Sequence, residues 1–400
     1  MQAESQLAGS GIELMRSGEP DVPTLERFLL AELEDGSLLG FDARTVNTAL
    51  ARRLGNKLRT KHIRFAGDED LVDALWPDRP PLSAAPVWEL GVEYAGETRA
   101  DKLARVRAAM EREGADAFIV TALDELAWLL NLRGDDVACT PVFLGFLLLT
   151  KDAATLCARE SAVGAQIEAA LAADGVRLAD YADIYALVSA LPRGTRVLLD
   201  GASANYRLTQ SLPEGAQALE RPSPIAAMKA VKNEAEQENF RRAHLDDGVA
   251  LTRFLCWLKR DAVREGASEL SAAAKLEEYR RESADYLGPS FAPILAYGPH
   301  GAIVHYEPTA ESDVPLEARG LLLADTGGHY RTGTTDVTRT VALGPVTAEE
   351  KRACTLVLRG HLALAAARFR AGVTGENLDI LARGPLWDEG LDYNHGTGHG

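Results

Sequence analysis

Two copies of an α/β unit followed by an α+β unit are the fold class this sequence predicts, on three observations. Between Asp101 and Asp200, "KLARVRAAMEREG" and "SAVGAQIEAALAADG" read as helices and "DAFIVT" and "RVLLD" as strands, the alternation of a layered α/β domain. An echo lies earlier: "GSLLGFDARTVNTALARRL" (Gly36 to Leu54) resembles "TRVLLDGASANYRLTQSL" (Thr195 to Leu212). Each is a short apolar strand ending in Asp, then a helix starting among small residues, which implies two copies of one unit. Beyond "RPSP" (Arg221 to Pro224) long amphipathic helices enclose strand-like runs that carry polar residues.

Taken in order, the first copy fills residues 1–82 and ends at proline-rich "WPDRPPLSAAP", because repeated proline continues neither a helix nor a central strand. The second copy fills residues 83–222. It includes the apolar run "PVFLGFLLL" from Pro141 to Leu149, half the length of a membrane span and expected as a buried strand. Residues 223–400 form the α+β unit. Asn233 and Glu236 stand in capping-box spacing ahead of a long helix through Phe240, His244, Leu251, Phe254 and Leu258, and Thr347 and Glu350 repeat that spacing ahead of a second. Between them "APILAYG", "GAIVHY", "LLLAD" and "TTDVTRTVAL" read as strands.

Composition excludes several function classes. With 59 acidic and 43 basic side chains the net charge is -16, which repels phosphate backbones and anionic lipid, so neither nucleic acid nor a membrane is an expected partner. The start, "MQAESQLAGSG", has no basic or apolar signal region, and Cys139, Cys157, Cys256 and Cys354 form no C-x-x-C pair. A cytoplasmic protein is the expectation, with any metal held by oxygen and nitrogen.

Six of the eight histidines lie between His300 and His399, together with two aspartates. In "LLLADTGGHYRTGTTDVTRTVAL" an apolar strand runs into Asp325, a turn follows through Gly327, Gly328 and Gly333, and a β-branched strand carries Asp336. Such a hairpin places both carboxylates near its mouth, within reach of one cation. The rival reading is that Asp325 caps a turn, as Asp commonly does, and that Asp336 is a buried acid paired with Arg339. His399, among glycines in "HGTGHG", offers a nitrogen ligand, and His305 sits at the end of "GAIVHY". His244 and His361 fall on amphipathic helices, and His300 and His329 read as loop residues without a role.

Together, "LLLADTGGHYRTGTTDVTRT", "GPHGAIVHY" and "GLDYNHGTGHG" are similar in content, order and separation to the catalytic domain of the aminopeptidase P family, pita-bread metallopeptidases that remove a residue ahead of proline. "LDELAWLLNLRGDDV" and "SPIAAMKAVKNEAEQENFRRAH" extend the resemblance to the three-domain cytosolic form. It implies two creatinase-type amino-terminal domains, the first incomplete, followed by a pita-bread domain. It further implies Asp325, Asp336 and His399 as ligands of a dinuclear site, usually of Mn2+, His305 assisting the scissile amide, and His395 lining the proline pocket. Proline-containing peptides as substrates and a homodimer follow from the same resemblance.

In that family two glutamate ligands lie downstream of the H-G-T-G-H-G segment, where this sequence stops at Gly400. An internal fragment is the resulting expectation, with weak metal retention and little hydrolysis by itself. Two alternatives remain: a prolidase-like Xaa-Pro dipeptidase, against which the duplicated units argue, and a non-catalytic pita-bread module that binds peptides or proteins, against which the three ligand residues argue.

Overall fold

The computed structural model describes residues 2–399. It divides into two compact units at Arg242 and Ala243, with residues 331–333 counted with the first and residues 334 onward with the second.

In the first unit the internal repeat is visible in three dimensions. Strand β1 (Leu38–Gly40) pairs in parallel with β2 (Arg64–Ala66), and helix α1 (Thr48–Leu58) lies between them in sequence. A six-stranded sheet is built from β3 (Ala117–Val120), β4 (Gly145–Thr150), β5 (Ala154–Ala158), β6 (Val176–Ala179), β7 (Arg196–Leu199) and β8 (Gln217–Glu220), in the order β8-β7-β3-β4-β5-β6. The β7-to-β8 pairing is again parallel, with a short helix, Tyr206–Gln210, between the strands. Both copies turn in the same way. Asp42 Oδ1 accepts from Arg44 N at 2.8 Å and Asp200 Oδ1 from Ala202 N at 2.9 Å, while Asn47 and Asn205 each cap the helix that follows. These two caps meet in an antiparallel bridge: Thr48 N donates to Ala204 O and Tyr206 N to Val46 O, both at 2.8 Å. Equivalent residues exchange equivalent bonds, so the copies join about a local twofold axis.

Helices α2 (Arg99–Glu113) and α3 (Leu123–Leu130) pack on this sheet through Leu103, Val106, Met110, Leu126, Leu129 and Leu130. "PVFLGFLLL" is realised as β4, with Phe146 to Leu149 buried. One cation is sealed in the same layer. Lys102 Nζ donates to Trp128 O at 2.9 Å and Asn131 Oδ1 at 2.8 Å and lies 4.1 Å from the centre of the Trp128 ring.

The second unit is a helix layer on a sheet. Helix α4 (Glu234–Trp257) starts from the expected capping box, in which Glu236 N donates to Asn233 Oδ1 and Asn233 N to Glu236 Oε2, both at 2.9 Å. Helix α5 (Glu269–Arg280) follows it. Strands β9 (Ile294–Tyr297), β10 (Leu321–Thr326) and β11 (Val337–Ala342) form an antiparallel sheet in that order, with Ile294 and Thr338 flanking Asp325. Leu251 and Phe254 of α4, Leu258 just after it and Leu276 of α5 pack on Leu295, Leu322 and Ala324. Thr347 and Glu350 form the second expected capping box, at the start of helix α6 (Ala348–Ala365).

Two expectations about local structure are corrected. "GAIVHY" is not a strand: a 3-10 turn spans Gly298–Ala302 and a turn follows, in which Ile303 and Val304 stay exposed and His305 has a φ of 56°. Gly327 and Gly328 do not make the hairpin turn either. The chain continues as a strand over Gly328–Tyr330, paired with Tyr286–Pro289, and turns at Arg331 and Thr332.

Burial pushes the Lys102 ammonium down to about 8 from its ordinary 10.5. Below pH 8 both folded and unfolded chains hold this proton, and the folded state bears the full cost of burying the charge. Between about 8 and 10.5 the folded chain releases it first, so stability gains with rising pH. Urea unfolding of the wild type should therefore gain roughly 3 kcal/mol relative to Lys102→Met across that window. Parallel pH curves for the two proteins would contradict the assignment.

Candidate metal centre

The alternation of β10 decides which side chains can meet a ligand. Leu322, Ala324 and Thr326 are buried and Leu321, Leu323 and Asp325 half-buried, with Leu322 and Ala324 packed against the helices. Asp325 therefore belongs to the opposite face. Its register partner is Thr338, whose hydroxyl donates to Asp325 Oδ1 at 2.7 Å and holds the carboxylate in one orientation. Asp336 stands immediately ahead of β11, two positions before Thr338, at the same end of the β10–β11 pair as Asp325.

His399 reaches this end from the carboxy-terminal segment, with Nε2 3.3 Å from Asp336 Oδ2. The Asp336 side chain is 44% exposed and that of His399 82%. This corrects the expectation that Asp336 is buried. The threonines around it, Thr334, Thr338 and Thr340, line the exposed side of the hairpin, so a β-branched run here does not signify a core strand. Nor does Asp336 appear as the partner of Arg339, whose Nη1 donates to Thr338 O at 2.7 Å. An exposed Asp–His pair contributes at most about 1 kcal/mol, so stability of the fold does not explain these residues.

Of the three candidate ligands, Asp325 on the central strand and Asp336 just ahead of β11 stand at one end of the strand pair, and His399 is in contact with Asp336. Two carboxylates and an imidazole, with no thiolate, have the donor chemistry of a hard or borderline divalent ion. Among the described residues, however, no three His, Cys, Asp or Glu side chains close into a group that could hold an ion. They amount to an open part of a coordination shell.

The two candidate substrate histidines are placed differently. His395 is exposed, stacks on Tyr393 with ring centres 4.7 Å apart, and has Nδ1 2.8 Å from Gly396 O. His305 occupies the turn described above, next to Tyr306, which packs with Ile294, Ala296 and Leu323 on the face of the sheet that carries Asp325. Neither the His395–Tyr393 stack nor the packing of Tyr306 beside His305 includes any of the three ligands.

Several supporting residues escape sequence reasoning. Arg280 and Asp247 form an ion pair with side chains each 2% exposed, Nε to Oδ1 being 2.7 Å. Arg280 also donates to Gly327 O at 3.0 Å and Thr326 Oγ1 at 3.1 Å, and Tyr330 OH donates to Asp247 Oδ1 at 2.9 Å. Burial, reinforced by Asp247, pushes the Tyr330 phenol well above its ordinary range, which keeps it a donor. Gly327 lies beside this network, where a Cβ would collide with Ser290 Oγ and the Thr335 carbonyl. His300, read as a loop residue without a role, has Nδ1 2.9 Å from the buried carboxylate of Glu269. The signal for Glu269 is weak: an acid in the first turn of an amphipathic helix is ordinarily solvated.

Comparison with known proteins fits this arrangement. Residues 78–236 match the Creatinase/Prolidase N-terminal domain and residues 238–400 match Metallopeptidase family M24. The chain belongs to metallopeptidase family M24, as a creatinase-type amino-terminal region followed by a pita-bread domain. Its relatives include proteins named Xaa-Pro aminopeptidase P from Sordaria macrospora and Neurospora crassa. Each is 39% identical over all of this chain, which spans 67% and 60% of their lengths. Among solved structures, the X-prolyl aminopeptidase of Caenorhabditis elegans, described as a cytosolic enzyme with a di-nuclear active site, superposes with a TM-score of 0.92 at 34% identity, over all of this chain and 66% of that one. The Xaa-Pro dipeptidase of Bacillus anthracis shares the fold, with a TM-score of 0.58 at 19% identity over 76% of this chain and 82% of its own.

Thr338 orients one oxygen of Asp325, so Thr338→Val should weaken divalent-metal binding by about tenfold in calorimetric titration of the full-length protein, with the fold retained. An unchanged affinity would separate Asp325 from the metal.

Proposed function

We propose that the protein is a metal-dependent exopeptidase that releases the amino-terminal residue from peptides with proline in second position. The observation that carries this reading is the end of the β10–β11 pair, where Asp325 stands opposite Thr338, Asp336 lies two residues before Thr338, and His399 meets Asp336 at 3.3 Å. The relatives' names and the di-nuclear site of the nematode enzyme support it.

Asp325, Asp336 and His399 would hold the metal, with manganese our choice for the oxygen-rich donor set. A third or more of each aminopeptidase relative lies outside the aligned region, and we assign the remaining ligands to that part of the whole protein. A divalent-metal centre there would supply a water whose pKa is lowered towards about 7 and a positive field for a developing oxyanion. The chain's own residues do the rest. Thr338 fixes the Asp325 carboxylate, His305 donates a hydrogen bond towards the scissile amide, and His395, its ring backed by Tyr393, offers a flat exposed face to the proline ring. A cytosolic location agrees with the description of the nematode enzyme, and no helix among the described residues is long and apolar enough to cross a membrane.

The test is release of glycine from Gly-Pro-Pro by the full-length protein, with and without Mn2+, beside the dipeptide Gly-Pro. Cleavage of the tripeptide only, dependent on metal, is expected. His305→Ala and His395→Ala should each lower kcat by a factor on the order of 10²–10⁴ with metal content unchanged. Preference for Gly-Pro would favour the dipeptidase reading. No cleavage with any divalent ion would overturn the proposal.

A further inference from the structure

Resting on the functional reading above, we propose that Glu269 is a positioning residue that sets the conformation of the His305 loop. Glu269 opens helix α5 and is completely buried. Its carboxylate accepts from the Tyr297 N–H at 2.6 Å and from Tyr306 OH at 2.8 Å, and its two oxygens lie 2.9 and 3.1 Å from His300 Nδ1. These three donors bracket the segment that carries His305. A buried carboxylate without donors is costly, and these all come from one stretch of chain, so Glu269 is satisfied only while that stretch keeps this course.

The loop is fixed from its other side as well. The Tyr306 ring stacks on His300 with centres 4.5 Å apart and packs against Ile294, Ala296 and Leu323, the last two residues ahead of Asp325 and on the same face. His305 directly precedes Tyr306 and has a φ of 56°, a left-handed conformation uncommon outside glycine. Glu269 touches neither Asp325 nor His305 in the contacts above. It acts through Tyr297, His300 and Tyr306, and so on the placing of the His305 imidazole relative to the strand ends that bear Asp325 and Asp336.

The test compares Glu269→Gln and the milder Tyr306→Phe with the parent in the full-length protein. We measure kcat and KM on Gly-Pro-Pro, bound manganese, and, in the metal-free protein, the His305 imidazole resonance, identified by its loss in His305→Ala. Loosening the loop should lower kcat by ~10–100-fold in Glu269→Gln and less in Tyr306→Phe, with KM and bound metal within about twofold and the His305 resonance shifted or broadened. Unchanged kcat in both variants would overturn the proposal. So would a loss of activity matched by loss of metal, because Glu269 would then merely support the fold. If the parent cleaves no Xaa-Pro peptide, the functional reading fails separately. The positioning claim is then decided by the resonance alone, and an unshifted His305 in Glu269→Gln refutes it.

Discussion

The buried Arg280–Asp247 pair is the contact on which the second unit's chemistry depends. Its guanidinium bridges the helix layer, through Asp247 of α4, to the end of β10, through the Thr326 hydroxyl and the Gly327 carbonyl. A buried pair of this kind stabilises the fold little compared with an apolar substitute, because both ions have left water. Its contribution is geometric: of the guanidinium's four bonds two go to Asp247 and two hold Thr326 and Gly327, the residues that directly follow Asp325, and Tyr330 closes the network on Asp247. The path of the chain out of β10 is thereby set.

Strand alternation then divides the work between the two faces of the sheet. Leu322, Ala324 and Thr326 belong to the helices and hold the fold together, while Leu323 and Asp325 belong to the face on which the His305 loop lies. Neighbouring positions in one strand thus serve stability and chemistry without sharing atoms. The ligand face is open to water, as a metal and substrate require, and the opposite face is dry, as two buried charges require if they are to keep their geometry.

Much of this was legible in the sequence because it rests on local signals. The capping boxes at Asn233 and Thr347, the buried run at Phe146 to Leu149 and the duplicated strand–Asp–helix element are set by contacts within a few residues. The meeting of Asn47 with Asn205 is not local, and only the repeat hinted at it. What failed did so for tertiary reasons. Ile303 and Val304 have strand propensity, yet the loop holding them is tied down at Tyr297, His300 and Tyr306 by one distant carboxylate. Arg280 and Arg281 are adjacent and alike in sequence. The first is sealed against Asp247, and the second is exposed and paired with Glu277.

Divalent-metal affinity of Arg280→Lys in the full-length protein tests this account most directly. Lysine keeps the charge that Asp247 needs, but as a point donor it cannot also hold Thr326 and Gly327 in the fork geometry of arginine. The account predicts a folded protein whose manganese affinity in calorimetric titration is about tenfold weaker than that of the parent, although residue 280 touches no ligand. A folded variant with the parent's affinity would show that the strand ends bearing Asp325 and Asp336 keep their places without the buried pair, and would contradict the account.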